Sequence, residues 1–405
     1  MKRIEISNNI GRRNFITKTG SSLAGLAVLP QLSTFGHQSS GLDVPMEITK
    51  PWEPFSERKI RVGLVGYGAS KFSAAFGFQD HPNVKIEAVS DLFPDRCQAL
   101  AERVGCSKTY PSLEELVKDD RIEAVFVATD APSHPRHCME VLKHGKHVAV
   151  AVPVTYGSIE EGEQLLEMVK NNRGLKFMMF ETSCFRADLF AMRKIYQAGG
   201  FGDIVYSEGE YYHGRPLNVD NYTGIDSYKG WRQGGPPQWY PTHNTAYHIG
   251  VTDGAFTEVS CYGVRREKED RYYKNKYNNP FHTEIALFRT SEGGVSRQAR
   301  SSGTPGTPSE IGRVRGTLGS YHGKYEGQLQ NLPEIERPAL PAGVEGGGHG
   351  GSHGHLMHEF ILSIIEDREP VVDIIAAMNM TIPGIVAHES AMKDGELLKI
   401  PQYKL

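Results

Sequence analysis

An apolar run closing on a paired-glycine turn constrains this chain more than any other feature. The run is Lys59-Ile60-Arg61-Val62-Gly63-Leu64-Val65-Gly66-Tyr67-Gly68. Its apolar density is that of a parallel strand buried on both faces, and glycines at its end permit a tight bend. A helix is expected over 69–79. A second strand follows over 84–91 and ends in an acid, Asp91, which stands 25 residues after Gly66. A helix over 95–104 and buried strands over 124–128 and 147–152 continue the series. Strand and helix alternate, which specifies an α/β fold with a doubly wound parallel sheet.

In such a sheet the first turn holds a dinucleotide pyrophosphate. Glycines let the backbone approach the phosphates, and the helix start supplies free N–H groups. Gly66, Tyr67, Gly68, Ala69 and Ser70 form that turn here. Asp91 is placed to accept hydrogen bonds from the adenosine ribose, which favours NAD over NADP because a 2′-phosphate would be repelled. The third glycine of the usual motif is Lys71. That glycine mainly serves helix–strand packing, so nucleotide binding is still expected.

Charge and cysteine content narrow the function classes. Lys plus Arg number 45 against 48 Asp plus Glu, for a net charge of −3. That lacks the basic excess of a nucleic-acid binder. The 5 cysteines are scattered without a CxxC pair, so buried free thiols are expected rather than disulfides or a cysteine zinc site. Residues 1–36 differ from the rest. Arg12-Arg13-Asn14-Phe15-Ile16-Thr17-Lys18 precedes a short apolar stretch, Leu23 to Pro30. This is the layout of a twin-arginine export signal and is too short for a membrane span. The domain reading is therefore a signal over 1–36, a linker over 37–57, a nucleotide-binding domain over 58–180 and a second domain over 181–405. The expected location is the periplasm.

Several strings resemble the Gfo/Idh/MocA oxidoreductases. They are the glycine turn, Ala128-Thr129-Asp130-Ala131-Pro132-Ser133-His134, Gly145-Lys146-His147-Val148, Pro153, Gly202-Asp203-Ile204, Trp231-Arg232 and Gly350-Gly351-Ser352-His353. The resemblance implies an N-terminal Rossmann domain and a C-terminal α/β domain on a large open mixed sheet, through which a homo-oligomer forms. It also implies cofactor contacts from Thr129, His134 and Pro153. Stretches 204–213, 257–262, 283–290, 293–301 and 311–318 read as strands of that sheet, and 354–366 and 375–388 as helices.

The chain departs from the family dehydrogenases at one position that matters. They carry Glu-Lys-Pro, with the lysine beside the nicotinamide, where this chain has Ala151-Val152-Pro153. Valine transfers no proton. The NAD-dependent glycosidases of glycoside hydrolase family 109 also lack the lysine. Their Tyr-Pro-Thr-His string matches Tyr240-Pro241-Thr242-His243, and Met178 to Phe185 resembles another of their strings. The glutamate and tyrosine of that branch are Ala151 and Phe185 here, so the chain reads as a relative of the branch.

Oxidising a sugar alcohol requires a base for the hydroxyl proton. Tyr240 and His243 are the candidate catalytic pair, and three-residue spacing would align them on one side of a helical turn. His213, Trp231, Arg232 and His353 are expected at the sugar, and His248 in a structural role. His349, His353, His355 and His358 cluster in a glycine-rich tract, but only Glu359 joins them, so no metal is expected. Three functions follow: an NAD-dependent oxidoreductase of a sugar, cyclitol or derivative; an NAD-recycling glycosidase or lyase; and a non-catalytic sugar or nucleotide binder.

Overall fold

The computed structural model describes residues 56–404, apart from residue 69 and residues 214–229, 269–273, 305–306 and 308. The export signal, nearly all of the linker and Ala69 lie outside the described residues.

The nucleotide-binding half is a parallel sheet of β1 (Ile60–Val65), β2 (Val84–Ser90), β3 (Thr109–Tyr110), β4 (Ala124–Val127), β5 (His147–Val150) and β6 (Phe177–Met179). Its order is β3-β2-β1-β4-β5-β6. Strands β4 and β6 are buried at every position, as their uninterrupted apolar runs require. Connections leave β1 in opposite directions, so a crevice opens at its carboxyl end, where such sheets bind ligands. One expectation needs correction. The helix expected over 69–79 is a single turn, Phe72–Ala75, and a 3-10 turn, Phe78–Asp80. Lys71 and Gly77 both take left-handed backbone (φ 50° and 78°), which breaks the helix at each end.

The second half carries a mixed sheet. Its strands are β7 (Ile204–Tyr212), β8 (Phe256–Arg265), β9 (Phe281–Thr290), β10 (Val295–Ser301), β11 (Ser309–Gly316), β12 (Gly319–Tyr321), β13 (Tyr325–Gly327) and β14 (Leu398–Lys399). Their order is β13-β12-β11-β7-β10-β9-β8-β14. The β7–β10 pair is parallel and its neighbours antiparallel. The helix Thr242–Thr252 has every residue buried and packs against β7. Helices His353–Ile365 and Ile374–Met392 complete the core. On the other face Val205, Ile285, Leu287, Val295 and Ile311 are exposed. Among the described residues no helix is long and apolar enough to cross a membrane, and all five cysteines are free.

A buried histidine pair joins the halves. His81 Nε2 lies 2.9 Å from His358 Nδ1, and His81 Nδ1 accepts the Asn83 N–H. Burial, reinforced by the neighbouring imidazole, lowers His81 to about 3. Burial also lowers His358, to about 4. In the unfolded chain both titrate near 6.5. The unfolded state therefore binds protons first as pH falls. Stability is full above about pH 6.5 and falls toward about pH 4, by up to ~1.4 kcal/mol per unit for each histidine. Urea melts at pH 7 and pH 5 should show this loss, and a His81→Gln variant should show a shallower one.

Candidate active site

The crevice is a cavity of about 420 Å³ that begins at the glycine turn. Gly66 has φ 93°, and its N–H donates to Ser90 O at 2.9 Å. A side chain there would strike the Ala128 carbonyl across the crevice, so only glycine fits. Ser73 Oγ donates to Gly66 O at 2.5 Å and braces the turn. Asp91 is buried at the cavity wall. One carboxylate oxygen accepts the Tyr67 N–H at 2.6 Å and the other the Phe93 N–H at 2.9 Å. Each oxygen keeps a second lone pair, which is what recognition of a ribose diol needs. Phe93 and Arg96 stack beside it, with the guanidinium 4.9 Å from the ring.

Of the other nucleotide candidates, Gly68, Ser70, Thr129 and His134 line the same cavity. Pro153 stands behind it, its carbonyl 2.7 Å from His134 Nδ1. The volume suits a small-molecule site, and glycine, acid and cavity together fit a dinucleotide.

At the far end the cavity reaches Ala151, Val152, Trp231, Arg232 and Tyr240. Arg232 lies 4.2 Å over the Trp231 ring and 5.5 Å over Tyr240. Tyr240 is the residue before Pro241 and stands just outside the helix Thr242–Thr252, so the shared helical turn expected for it and His243 is not formed. A clamp places it instead. The Gln238 N–H donates to Glu284 Oε2 at 2.7 Å, and Glu284 Oε1 meets His388 Nδ1 at 2.6 Å. Burial raises the Tyr240 phenol, opposed by Arg232.

His243 is not among the cavity-lining residues. It lies one ring deeper, 5.5 Å from Tyr240 and 4.4 Å from Tyr211 by ring centres. Its Nδ1 faces Glu181 Oε1 at 2.8 Å. Glu181 ends the strand run of β6, is fully buried, and accepts the Ser183 N–H on the same oxygen. Burial works against the imidazolium, but the Glu181 carboxylate overrides it and holds His243 above its ordinary value. With Nδ1–H given to Glu181, Nε2 is the basic nitrogen.

The remaining candidates are dispersed. His213 is exposed at the end of β7, 5.6 Å from Tyr211 by ring centres. His353 is buried and is not a cavity-lining residue, though its ring centre lies 6.2 Å from that of the lining Phe72; its Nδ1 meets Ala75 O (3.2 Å) and its Nε2 His349 Nδ1 (2.8 Å). His248 is fully buried between Ser207 and Glu292, a structural placement. Glu181, His243 and Glu310 bring ligand-type atoms within 4.8 Å of one another. A proton shared between His243 and Glu181, with Arg186 3.8 Å from Glu310, already counters both carboxylates.

Comparison with known proteins agrees with this geometry. Residues 60–180 match the model of the Gfo/Idh/MocA family, described as an oxidoreductase family with an NAD-binding Rossmann fold. The chain carries the NAD-binding domain of the Gfo/Idh/MocA oxidoreductases. Among curated relatives it is similar to a glycosyl hydrolase family 109 protein of Solibacter usitatus, 23% identical, covering 85% of this chain and 88% of the relative. A glycosyl hydrolase family 109 protein of Saccharopolyspora erythraea is 22% identical over 98% of this chain and 95% of its own length. Among solved structures, levoglucosan dehydrogenase in complex with NADH and levoglucosan aligns with TM-score 0.68 and 16% identity, over 85% of this chain and all (100%) of that one. Scyllo-inositol dehydrogenase of Lactobacillus casei, with NAD(H) and scyllo-inositol, aligns at 0.66 and 16%, over 84% and 99%. The matched domain is an NAD-binding one, and Gly66, Gly68 and Asp91 line the cavity at its crevice.

Proposed function

We propose that this Gfo/Idh/MocA protein oxidises a ring carbon of a sugar, cyclitol or sugar derivative. The observation that carries the reading is the Tyr240 phenol in the cavity wall beside Val152, with the His243–Glu181 pair directly behind it. NAD+, when bound, supplies the hydride acceptor. Removing a hydride from a carbinol carbon requires its hydroxyl proton to leave; the Tyr240 phenol in the cavity wall faces that hydroxyl, and His243 Nε2 behind it is the base that receives the proton. Glu181 fixes the ring and stabilises the imidazolium as it forms. Trp231 gives an apolar face for a sugar ring, and Arg232 donates to its hydroxyls. Val152 makes no proton contribution, so that work passes to His243.

A second reading is supported by the curated relatives' names and the Tyr240-Pro241-Thr242-His243 string. In it the hydride is returned and a glycosidic bond is cleaved without net redox. Aryl glycosides incubated with the protein in deuterated water separate the two. NADH accumulation without aglycone release is expected for net oxidation. Aglycone release with deuterium at C2 moves the assignment to cleavage, and neither outcome supports a binder. Denaturing the purified protein should release NAD(H), detected by absorbance; its absence counts against both enzymatic readings.

Two further proposals concern context. Export by the twin-arginine route to the periplasm rests on Arg12-Arg13 and the short apolar run. It is tested by replacing both arginines with lysine and following secretion. Association through the exposed apolar face around Leu287 predicts a homo-oligomer, read by light scattering, with Leu287→Glu shifting it to smaller species.

A further inference from the structure

Four side chains of the nucleotide cavity form a hydrogen-bonded line that neither reading of the chemistry uses. They are Glu114, Arg136, His137 and Thr129, and all four line the cavity. Glu114 stands in the helical turn Leu113–Leu116, and Arg136 and His137 in the first turn of the helix His134–Lys143. Thr129 lies just past β4 and against the glycine turn: a side chain on Gly66 would come within 3.0 Å of its backbone nitrogen. The line thus ties the connection after β3 to the end of β4, beside the bend that receives a pyrophosphate.

Chemistry alone assigns the donors along it. A guanidinium only donates, so Arg136 gives one N–H to Glu114 Oε1 (3.0 Å) and another to His137 Nε2 (2.9 Å). His137 Nε2 must then be bare, because two N–H groups cannot face each other at that distance. Burial, and then the Arg136 charge, hold His137 down to about 4, so at pH 7 the ring is neutral with its one proton on Nδ1. That Nδ1–H donates to Thr129 Oγ1 at 2.8 Å. A hydroxyl that accepts still has its own proton to give. Among the described residues no other group meets the Thr129 hydroxyl, and Thr129 is half-buried in the cavity wall. Had that hydroxyl donated to His137 instead, it would offer the cavity lone pairs only.

We propose that His137 is a positioning residue of the nucleotide site, fixing the Thr129 hydroxyl as a donor to an oxygen of the dinucleotide's ribose–phosphate backbone. Arg136 sets the His137 ring, and Glu114 holds Arg136. The resemblance implies Thr129 at the cofactor; the new element is the direction of its hydrogen bond and the histidine that enforces it. A phosphate oxygen is charged, so a donor fixed in advance gains more there than with a neutral partner. The proposal rests on the nucleotide assignment and holds for ring oxidation and for glycoside cleavage alike.

The test is titration of the full chain with NADH, followed by nucleotide fluorescence. Thr129→Val removes the hydroxyl, keeps the shape and should raise the dissociation constant about tenfold or more, the worth of one hydrogen bond to a charged acceptor. His137→Leu frees the hydroxyl to turn and should raise it about threefold to tenfold. His137→Asn keeps an N–H close to the place of Nδ1 and should stay within about threefold of wild type. Adding His137→Leu to Thr129→Val should cost nothing further, because the effect of the histidine runs through the hydroxyl. A histidine that only supports the fold would weaken binding equally in both backgrounds. That result overturns the proposal, as does unchanged affinity in Thr129→Val or in folded His137→Leu. If wild type does not bind NADH, the nucleotide assignment fails and the proposal falls with it. A measurement on wild type alone covers variants that do not fold. Nitrogen-15 histidine spectra at pH 7 should show His137 neutral with its proton on Nδ1. An Nε2–H or charged ring overturns the proposal by itself.

Discussion

Asp91→Ala is expected to raise the dissociation constant for NADH at least about a hundredfold, read by fluorescence titration. Each hydrogen bond to a charged acceptor contributes about 1.5–3 kcal/mol, and a ribose diol makes two with a carboxylate. A loss of about 3 kcal/mol is about a hundredfold in affinity. The variant also deprives the Tyr67 and Phe93 N–H groups of their acceptor, so the turn itself loosens. The preference for NADH over NADPH should shrink, because the charge that repels a 2′-phosphate is gone. Unchanged NADH affinity in a folded Asp91→Ala protein would remove Asp91 from the nucleotide site.

The second large effect belongs to His243. Removing a positioned general base costs about 10²–10⁴ in turnover. His243→Ala should therefore lose ring oxidation while still releasing NAD on denaturation, since His243 does not line the nucleotide cavity. Alanine alone also leaves Glu181 buried without its cation, at about 3–5 kcal/mol in stability. The Glu181→Gln/His243→Ala double variant relieves that charge and serves as the folded control. Turnover retained in either folded protein would place the base elsewhere.

Much of this architecture was legible in the sequence because burial leaves a strong mark. The all-apolar runs at Ala124–Val127 and Phe177–Met179 can only be interior strands. The glycine turn and Asp91 were legible because backbone approach and charge each demand a particular residue type. The helix expected over 69–79 was not, since its apolar residues suit a helix and the break comes from backbone handedness at Lys71 and Gly77. The Glu181–His243 pair was hidden by 62 residues of separation, which only folding closes. Its one trace was a carboxylate closing the apolar run Phe177 to Phe180, where an unpartnered charge would be costly. Spacing within the glycine-rich tract says nothing of ring direction. The left-handed turn at His349 is what brings that imidazole to His243.

The helix Thr242–Thr252 has no solvent-facing side. His243 is thereby rooted in the protein's interior, whereas Trp231 and Arg232 occupy turn residues at the cavity's far end. Under the proposed function, diversification can accordingly proceed at the rim while the proton-transfer group stays fixed. Exchanging the Trp231–Arg232 segment among relatives should swap sugar preference and leave the rate-limiting chemistry, and its solvent isotope effect, as they are.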